Sequence, residues 1–281
     1  MEKFAVIGAG VMGGDVALNL ACHGHSVLLK DLDSQLLDNA RSRMKKDFRV
    51  LKMLAPGLRD KQADEIFANI SFCNDYSDFG DVRYCIENIS ESWPLKERLY
   101  KELNMVCPEE TVYCVNTSCI SITRIASLMS FPDKVIGMHF MNPVYLKEMV
   151  EIVKGYHTSD ATIEDAKSML RGIGKTPVLV NDFPGFVANR LSHLFMNEAA
   201  FIIQDRVANA KEVDVIFKKG YGHSMGPLET ADLIGLDTVV NSLDILYESY
   251  QDPKFRCCPL LRKMVDAGLL GKKSGEGFYK Y

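Results

Sequence analysis

No apolar run in the 281 residues approaches the ~20 needed to cross a bilayer, so a membrane span is not expected. There is no excess of positive charge either. Lys and Arg number 33 against 37 Asp and Glu, a net charge of −4, which gives no reason to expect nucleic acid or an acidic membrane surface as partner. The eight cysteines, Cys22, Cys73, Cys85, Cys107, Cys114, Cys119, Cys257 and Cys258, form no C-x-x-C pair. His and Cys never cluster at ligand spacing, so no metal site is expected. Cys73, Cys85 and Cys114 fall in strand-like runs, where cysteine acts as a small hydrophobe. A reduced, cytoplasmic protein is the simplest expectation. The opening "MEKFAVIGAG" enters a strand directly, without the look of a signal peptide. Internal repeats and low-complexity segments are lacking, and the single Trp93 carries no signal. What remains is an ordinary globular composition with length for one large domain or two ordinary ones.

Short β-rich runs alternate with helical patterns over the first two-thirds. Residues 4–8, 26–31, 69–73, 82–87, 111–116 and 134–140 read as strands, and most are apolar throughout, as in a parallel sheet covered on both faces. Helices are expected at 11–21, at 33–54 up to Pro56-Gly57, and from Pro94 to Leu103 with proline in the first turn. This alternation predicts an α/β fold with a Rossmann-type doubly wound sheet. A further strand pair, "EMVEIVKG" and "TPVLVND", brackets a helix at 160–173 with an apolar stripe of Ile163, Ala166, Leu170 and Ile173. After Pro184 helical periods dominate, beginning with an apolar helix at 186–203. The expected organisation is a nucleotide-binding domain at 1–183 and an all-helical C-terminal domain at 184–281.

"GAGVMG" sets Gly8, Gly10 and Gly13 in the G-x-G-x-x-G pattern. It follows a strand and opens a helix, and Asp31 ends the next strand 21 residues after Gly10. Gly8 makes the turn, Gly10 lets a pyrophosphate approach, and Gly13 lets helix and strand pack closely. The helix N-terminus at Val11 and Met12 faces the phosphates with free N–H groups. Asp31 would bind the adenosine ribose. A carboxylate there repels a 2′-phosphate and no arginine follows it, so NAD is expected rather than NADP.

Open α/β sheets bind ligands at the carboxyl ends of their strands. Two strands bring polar groups there: one ends in Asn116-Thr117-Ser118, the other in His139 with Asn142-Pro143 beyond it. His139 interrupts an apolar run, and Glu151 sits alone inside another. Buried polar groups need partners, and a His–Glu pair is one used for general-base chemistry. Together "GAGVMGGDVALNLACHGHSVLLKD", "VNTSCISITRIA", "VIGMHFMNPV", "MVEIVKG", "GKTPVLVNDFPGFVANRL", "GPLETADLIGLD" and "GKKSGEGFYKY" resemble the short-form L-3-hydroxyacyl-CoA dehydrogenases, in family order and over essentially the whole chain.

The resemblance implies roles. His139 would be the catalytic base and Glu151 the acid that pairs with it. Ser118 and Asn189 would contact the reacting oxygen. Asp31, Glu91, Lys96, Asn142 and Lys273 would bind NAD. A homodimer and an acyl thioester substrate are implied as well. The chemistry agrees with the residues: oxidising an alcohol removes a hydroxyl proton and a hydride, and histidine titrates near working pH. His23 and His25 form H-x-H without an evident third ligand. His157, His193 and His223, and the pair Asn197-Glu198, read as structural. The basic stretch from Arg41 to Lys61 reads equally as a solvated face or as a docking site for acidic groups.

Two departures bear on the substrate. The family's "NP-x-P-x-MK-LVE" becomes Asn142-Pro143-Val144-Tyr145-Leu146-Lys147-Glu148-Met149-Val150-Glu151, so a more polar acyl pocket and a short acyl group are expected. The family's coenzyme A-contacting Ser and Lys align with Asp47 and Leu54, which raises delivery of the acyl group by an acyl carrier protein, with a glyceryl-type group for a polyketide extender unit as one alternative. Others are a β-hydroxyacid dehydrogenase, disfavoured because it uses a lysine base, and a non-catalytic NAD-binding structural protein.

Overall fold

Eight of the apolar runs become strands of one sheet. The computed structural model describes residues 2–54 and 56–281, which divide into two units meeting at Asp182 and Phe183. In the first unit lie β1 (Lys3–Ile7), β2 (Ser26–Lys30), β3 (Ile70–Cys73), β4 (Tyr84–Glu87), β5 (Val112–Val115), β6 (Val135–Phe140), β7 (Met149–Lys154) and β8 (Thr176–Asn181). Their order across the sheet is β3-β2-β1-β4-β5-β6-β7-β8. All pairings among β1 to β6 are parallel, the doubly wound arrangement expected from the alternation. β7 then runs back antiparallel to β6, and β8 lies parallel to β7.

The helices of this unit are α1 (Val11–Cys22), α2 (Ser34–Leu54), α3 (Ala63–Phe67), α4 (Trp93–Val106), α5 (Ile122–Ala126) and α6 (Asp160–Gly172). α2 shows how the pattern works. Leu37, Ala40, Met44, Phe48 and Leu51 recur at helical spacing and are buried, while most of the basic side chains between them face solvent. The buried stripe joins Phe4, Val6, Leu18 and Leu29 in the main core.

The second unit carries α7 (Ala188–Gln204), α8 (Ala210–Val215), α9 (Pro227–Ile234), α10 (Leu236–Tyr250) and α11 (Pro259–Asp266). Met196, Ala200, Leu236, Val239, Leu243 and Leu261 pack its core. α7 starts two residues later than expected. Gly185 and Phe186 have φ of +77° and +49°, a left-handed conformation that a right-handed helix cannot pass through. None of the described helices is long and apolar enough to cross a membrane.

Candidate active site

β1, the loop 8–10 and α1 build the nucleotide cradle. Gly8 has φ +95°, and a Cβ on it would lie 2.8 Å from the Asn88 carbonyl oxygen. A Cβ on Gly13 would lie 1.8 Å from the Gly8 carbonyl oxygen, so helix and strand meet only through glycine. Gly10 is different: a Cβ there would meet nothing within 4 Å. Its open side is where a phosphate can approach, beside the free N–H groups of Val11 and Met12 in the first turn of α1. Asp31 is anchored at the lip. One carboxylate oxygen accepts the Ala9 N–H at 2.7 Å and the other the Leu32 N–H at 2.7 Å. The structure brings Gly8, Gly10, Val11, Met12, Gly13 and Asp31 together, and they fit a dinucleotide.

The antiparallel turn of β7 places the second group of candidates. His139 and Glu151 are register partners on adjacent strands, so their side chains leave the same face of the sheet side by side. His139 Nδ1 lies 2.7 Å from Glu151 Oε2, and both residues are buried. The other ring nitrogen, Nε2, lies 3.4 Å from Ser118 Oγ. An Nδ1–H donated to the carboxylate leaves Nε2 as the basic nitrogen on the Ser118 side.

Ser118 is set by Glu91. One oxygen of that carboxylate accepts the Thr117 hydroxyl at 2.5 Å and the N–H groups of Ser118, Cys119 and Ile120 at 3.2, 2.9 and 3.1 Å. The loop before α5 is wrapped around it. Beneath, the Lys96 ammonium lies 3.7 Å from Glu91, 2.9 and 2.7 Å from the two oxygens of Glu87, and 3.3 Å from the Asn116 carbonyl oxygen. Burial pushes the Glu87 carboxyl above its ordinary range, and Lys96 pulls it back. Lys96 is completely buried. Its ammonium supports Glu91 from below. Glu87 is a residue the sequence reading missed, because it looks like the end of an apolar strand. The signal was there in a lysine nine residues on.

Asn142 opens the loop that joins β6 to β7, and it is exposed. This loop is held at Val144, whose N–H donates to Asp15 at 3.3 Å and whose carbonyl accepts the buried Lys175 ammonium at 2.5 Å. Lys175 also reaches the Lys147 carbonyl at 3.0 Å. Lys147 and Glu148 are exposed, and Tyr145 packs against the sheet core. Val144 and Tyr145 turn inward and the backbone is tied by Asp15 and Lys175, while the long charged side chains are left to solvent.

In the second unit Asn189 is the second residue of α7, and its carbonyl accepts a hydrogen bond from His193 Nδ1 at 2.9 Å. Lys273 is paired with Asp237 at 2.6 Å. Asn197 is structural: its side chain ties α7 to the Arg256 carbonyl at 3.0 Å and to the Cys258 N–H at 2.8 Å. His23 is likewise engaged locally, 2.8 Å from the Asn19 carbonyl oxygen.

Two family models divide the chain between them. The NAD-binding domain of 3-hydroxyacyl-CoA dehydrogenase matches residues 3–183, and the C-terminal domain of the same enzyme matches residues 185–281. The chain belongs to the 3-hydroxyacyl-CoA dehydrogenase family. Among its relatives, a probable 3-hydroxybutyryl-CoA dehydrogenase of Deinococcus radiodurans is 43% identical over 99% of this chain and 100% of that protein. The solved structure of FadB2 of M. tuberculosis is 32% identical with a TM-score of 0.96, covering 100% of this chain and 99% of the other. That of the (S)-3-hydroxybutyryl-CoA dehydrogenase PaaH1 of Ralstonia eutropha is 34% identical with a TM-score of 0.93 at the same coverage. A 3-hydroxyacyl-CoA dehydrogenase is an oxidoreductase on a CH–OH donor, and NAD is its cofactor.

Proposed function

We propose that this chain interconverts a short 3-hydroxyacyl-CoA and its 3-oxoacyl-CoA with NAD, using His139 as the base. The observation that carries the reading is the His139–Glu151 pair at 2.7 Å with Nε2 beside the Ser118 hydroxyl at 3.4 Å. In oxidation, His139 Nε2 takes the proton of the substrate hydroxyl. Glu151 holds the Nδ1–H tautomer and stabilises the imidazolium that results. The Ser118 hydroxyl donates to the oxygen as charge develops on it. NAD, when bound, supplies the hydride acceptor. In the reverse direction the imidazolium returns its proton. The cradle of Gly8, Gly10, Val11, Met12, Gly13 and Asp31 would hold the dinucleotide, with Glu91 ordering the loop that presents Ser118. Glu91, Lys96, Asn142 and Lys273 are assigned to NAD and Asn189 to the reacting oxygen by resemblance. On the same ground residues 1–183 are assigned to the cofactor, residues 184–281 to substrate and dimerisation, and the protein to a homodimer; the pattern of cysteines places it in the cytoplasm.

A short acyl chain and coenzyme A are favoured by the relatives named 3-hydroxybutyryl-CoA dehydrogenase. Asp47 and Leu54 argue for a carrier protein only by what they lack, so coenzyme A is preferred. NADH formation should be fastest with 3-hydroxybutyryl-CoA, compared with a long-chain 3-hydroxyacyl-CoA and a carrier-bound 3-hydroxyacyl group. A clear preference for either of the latter overturns the substrate assignment. Gel filtration with light scattering checks the dimer.

A further inference from the structure

The glycine-rich loop is gripped from a direction its motif does not include. Arg43, in the third turn of α2, lies across the first turn of α1. One guanidinium nitrogen donates to the Ala9 carbonyl at 3.0 Å and to the Gly10 carbonyl at 2.7 Å. Room for it exists because residue 14 is glycine: a Cβ there would stand 2.7 Å from the same nitrogen and 3.3 Å from Met44 Cγ. Ala9 is thus fixed on both edges, its N–H by Asp31 and its carbonyl by Arg43. Asp15 is near enough to feel both Arg43 and Asp47, but among the described residues no carboxylate lies within ion-pair distance of the guanidinium. Its charge is spent on the loop rather than on an acid. Arg43 Nε, inside the contact with α1, is buried without a hydrogen-bond partner, so the side chain is seated for what its outer nitrogen does.

Carbonyl groups at this point oppose a phosphate, and their orientation decides where the next N–H groups point. We propose that Arg43 is a positioning residue for the cofactor. It turns the Ala9 and Gly10 carbonyls toward itself, so that the N–H groups of Gly10 and Val11, which lie opposite them in the same peptide planes, face the pyrophosphate, and it adds positive charge beside that dianion. Gly14 is its structural partner, since any side chain there displaces the guanidinium. This rests on the reading that the loop binds NAD. It also amends the argument on cofactor choice: no arginine follows Asp31 in sequence, yet one reaches the loop from α2.

The test is NADH binding by fluorescence titration, with KM for NAD and kcat, on the unmodified enzyme and on Arg43→Met, Arg43→Lys and Gly14→Ala. Arg43→Met should raise Kd for NADH about ten-fold, the scale of one charge-assisted hydrogen bond, with the loss falling on KM rather than kcat. Arg43→Lys should recover part of it, because an ammonium can reach one of the two carbonyls. Gly14→Ala should weaken binding in the same direction while leaving the charge in the protein. Circular dichroism melts identify a variant that does not fold, and Gly14→Ala decides if Arg43→Met is one. Kd within two-fold of the unmodified enzyme in the folded variants overturns the role of Arg43. An unmodified enzyme that binds no NADH overturns the nucleotide reading, and this inference with it.

Discussion

β4 ends in a buried ionisable side chain and β6 carries one a residue before its end, at the same rim of the sheet, and the two are used differently. Glu87 on β4 meets Lys96, whose three N–H donors go to the two Glu87 oxygens and the Asn116 carbonyl. Glu87 also accepts the Ile89 N–H at 2.7 Å and the Tyr100 hydroxyl at 3.3 Å. Every polar atom of that pair is spent inside the protein, and neither side chain has any exposed surface. His139 on β6 commits one nitrogen to Glu151 and turns the other toward a serine hydroxyl at a longer 3.4 Å. A saturated pair fixes geometry. A pair with one ring nitrogen beside a hydroxyl has the geometry to exchange a proton with a third group. The difference separates scaffold from chemistry more clearly than burial does, since both pairs are buried.

That comparison breaks most readily at His139. His139→Gln keeps a donor for Glu151 but provides no base, and turnover should fall by roughly 10²–10⁴. NADH binding and the melting temperature should change little. Near-normal turnover with chemistry rate-limiting would mean that the base has been misassigned. Glu87→Ala should behave in the opposite sense. It leaves the Lys96 ammonium buried without its main counter-charge, which costs about 3–5 kcal/mol of stability. Urea unfolding should show the loss, and Glu87→Leu combined with Lys96→Met should recover part of it, because neither charge is then stranded. If Glu87→Ala unfolds at the same urea concentration as the unmodified protein, the pair is not the scaffold described here.

The parallel sheet was legible because β4, β5 and β6 are apolar on both faces, and the cofactor loop because its glycines sit between a strand and a helix. The partnership of His139 with Glu151 was legible as two polar residues with no other excuse for being in apolar runs. The way they meet was not. An antiparallel β7 can be read only from pairing, since period and composition are the same in either direction. Asp15 and Arg43 were hidden for a related reason: their partners lie on other elements, 129 and 33 or 34 residues away. The start of α7 was misplaced because Phe186 takes a left-handed conformation that its side chain gives no reason to expect.

Asp31 sharpens the comparison from the cofactor side. It is a further carboxylate at this rim, held by the N–H groups of Ala9 and Leu32, and among the described residues no cation is paired with it. Placing a 2′-phosphate against it should cost several kcal/mol, so NAD should exceed NADP in kcat/KM by at least roughly 10²-fold. Asp31→Ala should narrow the gap, mainly by weakening NAD, because the Ala9 N–H loses its acceptor too. Equal use of both cofactors by the unmodified enzyme would remove Asp31 from the ribose site.

Asp15 completes the series, with the smallest expected effect. It is a buried carboxylate that has a backbone N–H, from Val144, in place of a close cation. Burial is the main cause that pushes its carboxyl up to about 6, with the Val144 N–H opposing it and Asp47 adding to it. The sign follows from proton binding. Between the ordinary value of 3.8 and about 6 the folded protein holds this proton and the unfolded chain does not. Stability therefore falls as pH rises through that window, and the full cost of an ionised Asp15 is present above it. Asp15→Asn cannot ionise, yet its amide oxygen still accepts the Val144 N–H. The substitution should stabilise the protein by at most about 3 kcal/mol at pH 7.5, from the size of the shift, and by almost nothing near pH 4. Melting temperatures of the two proteins at both pH values measure the difference. A variant less stable at pH 7.5 would show that the Asp15 carboxylate is held by charge after all, which would place it with Glu87 and not beyond it.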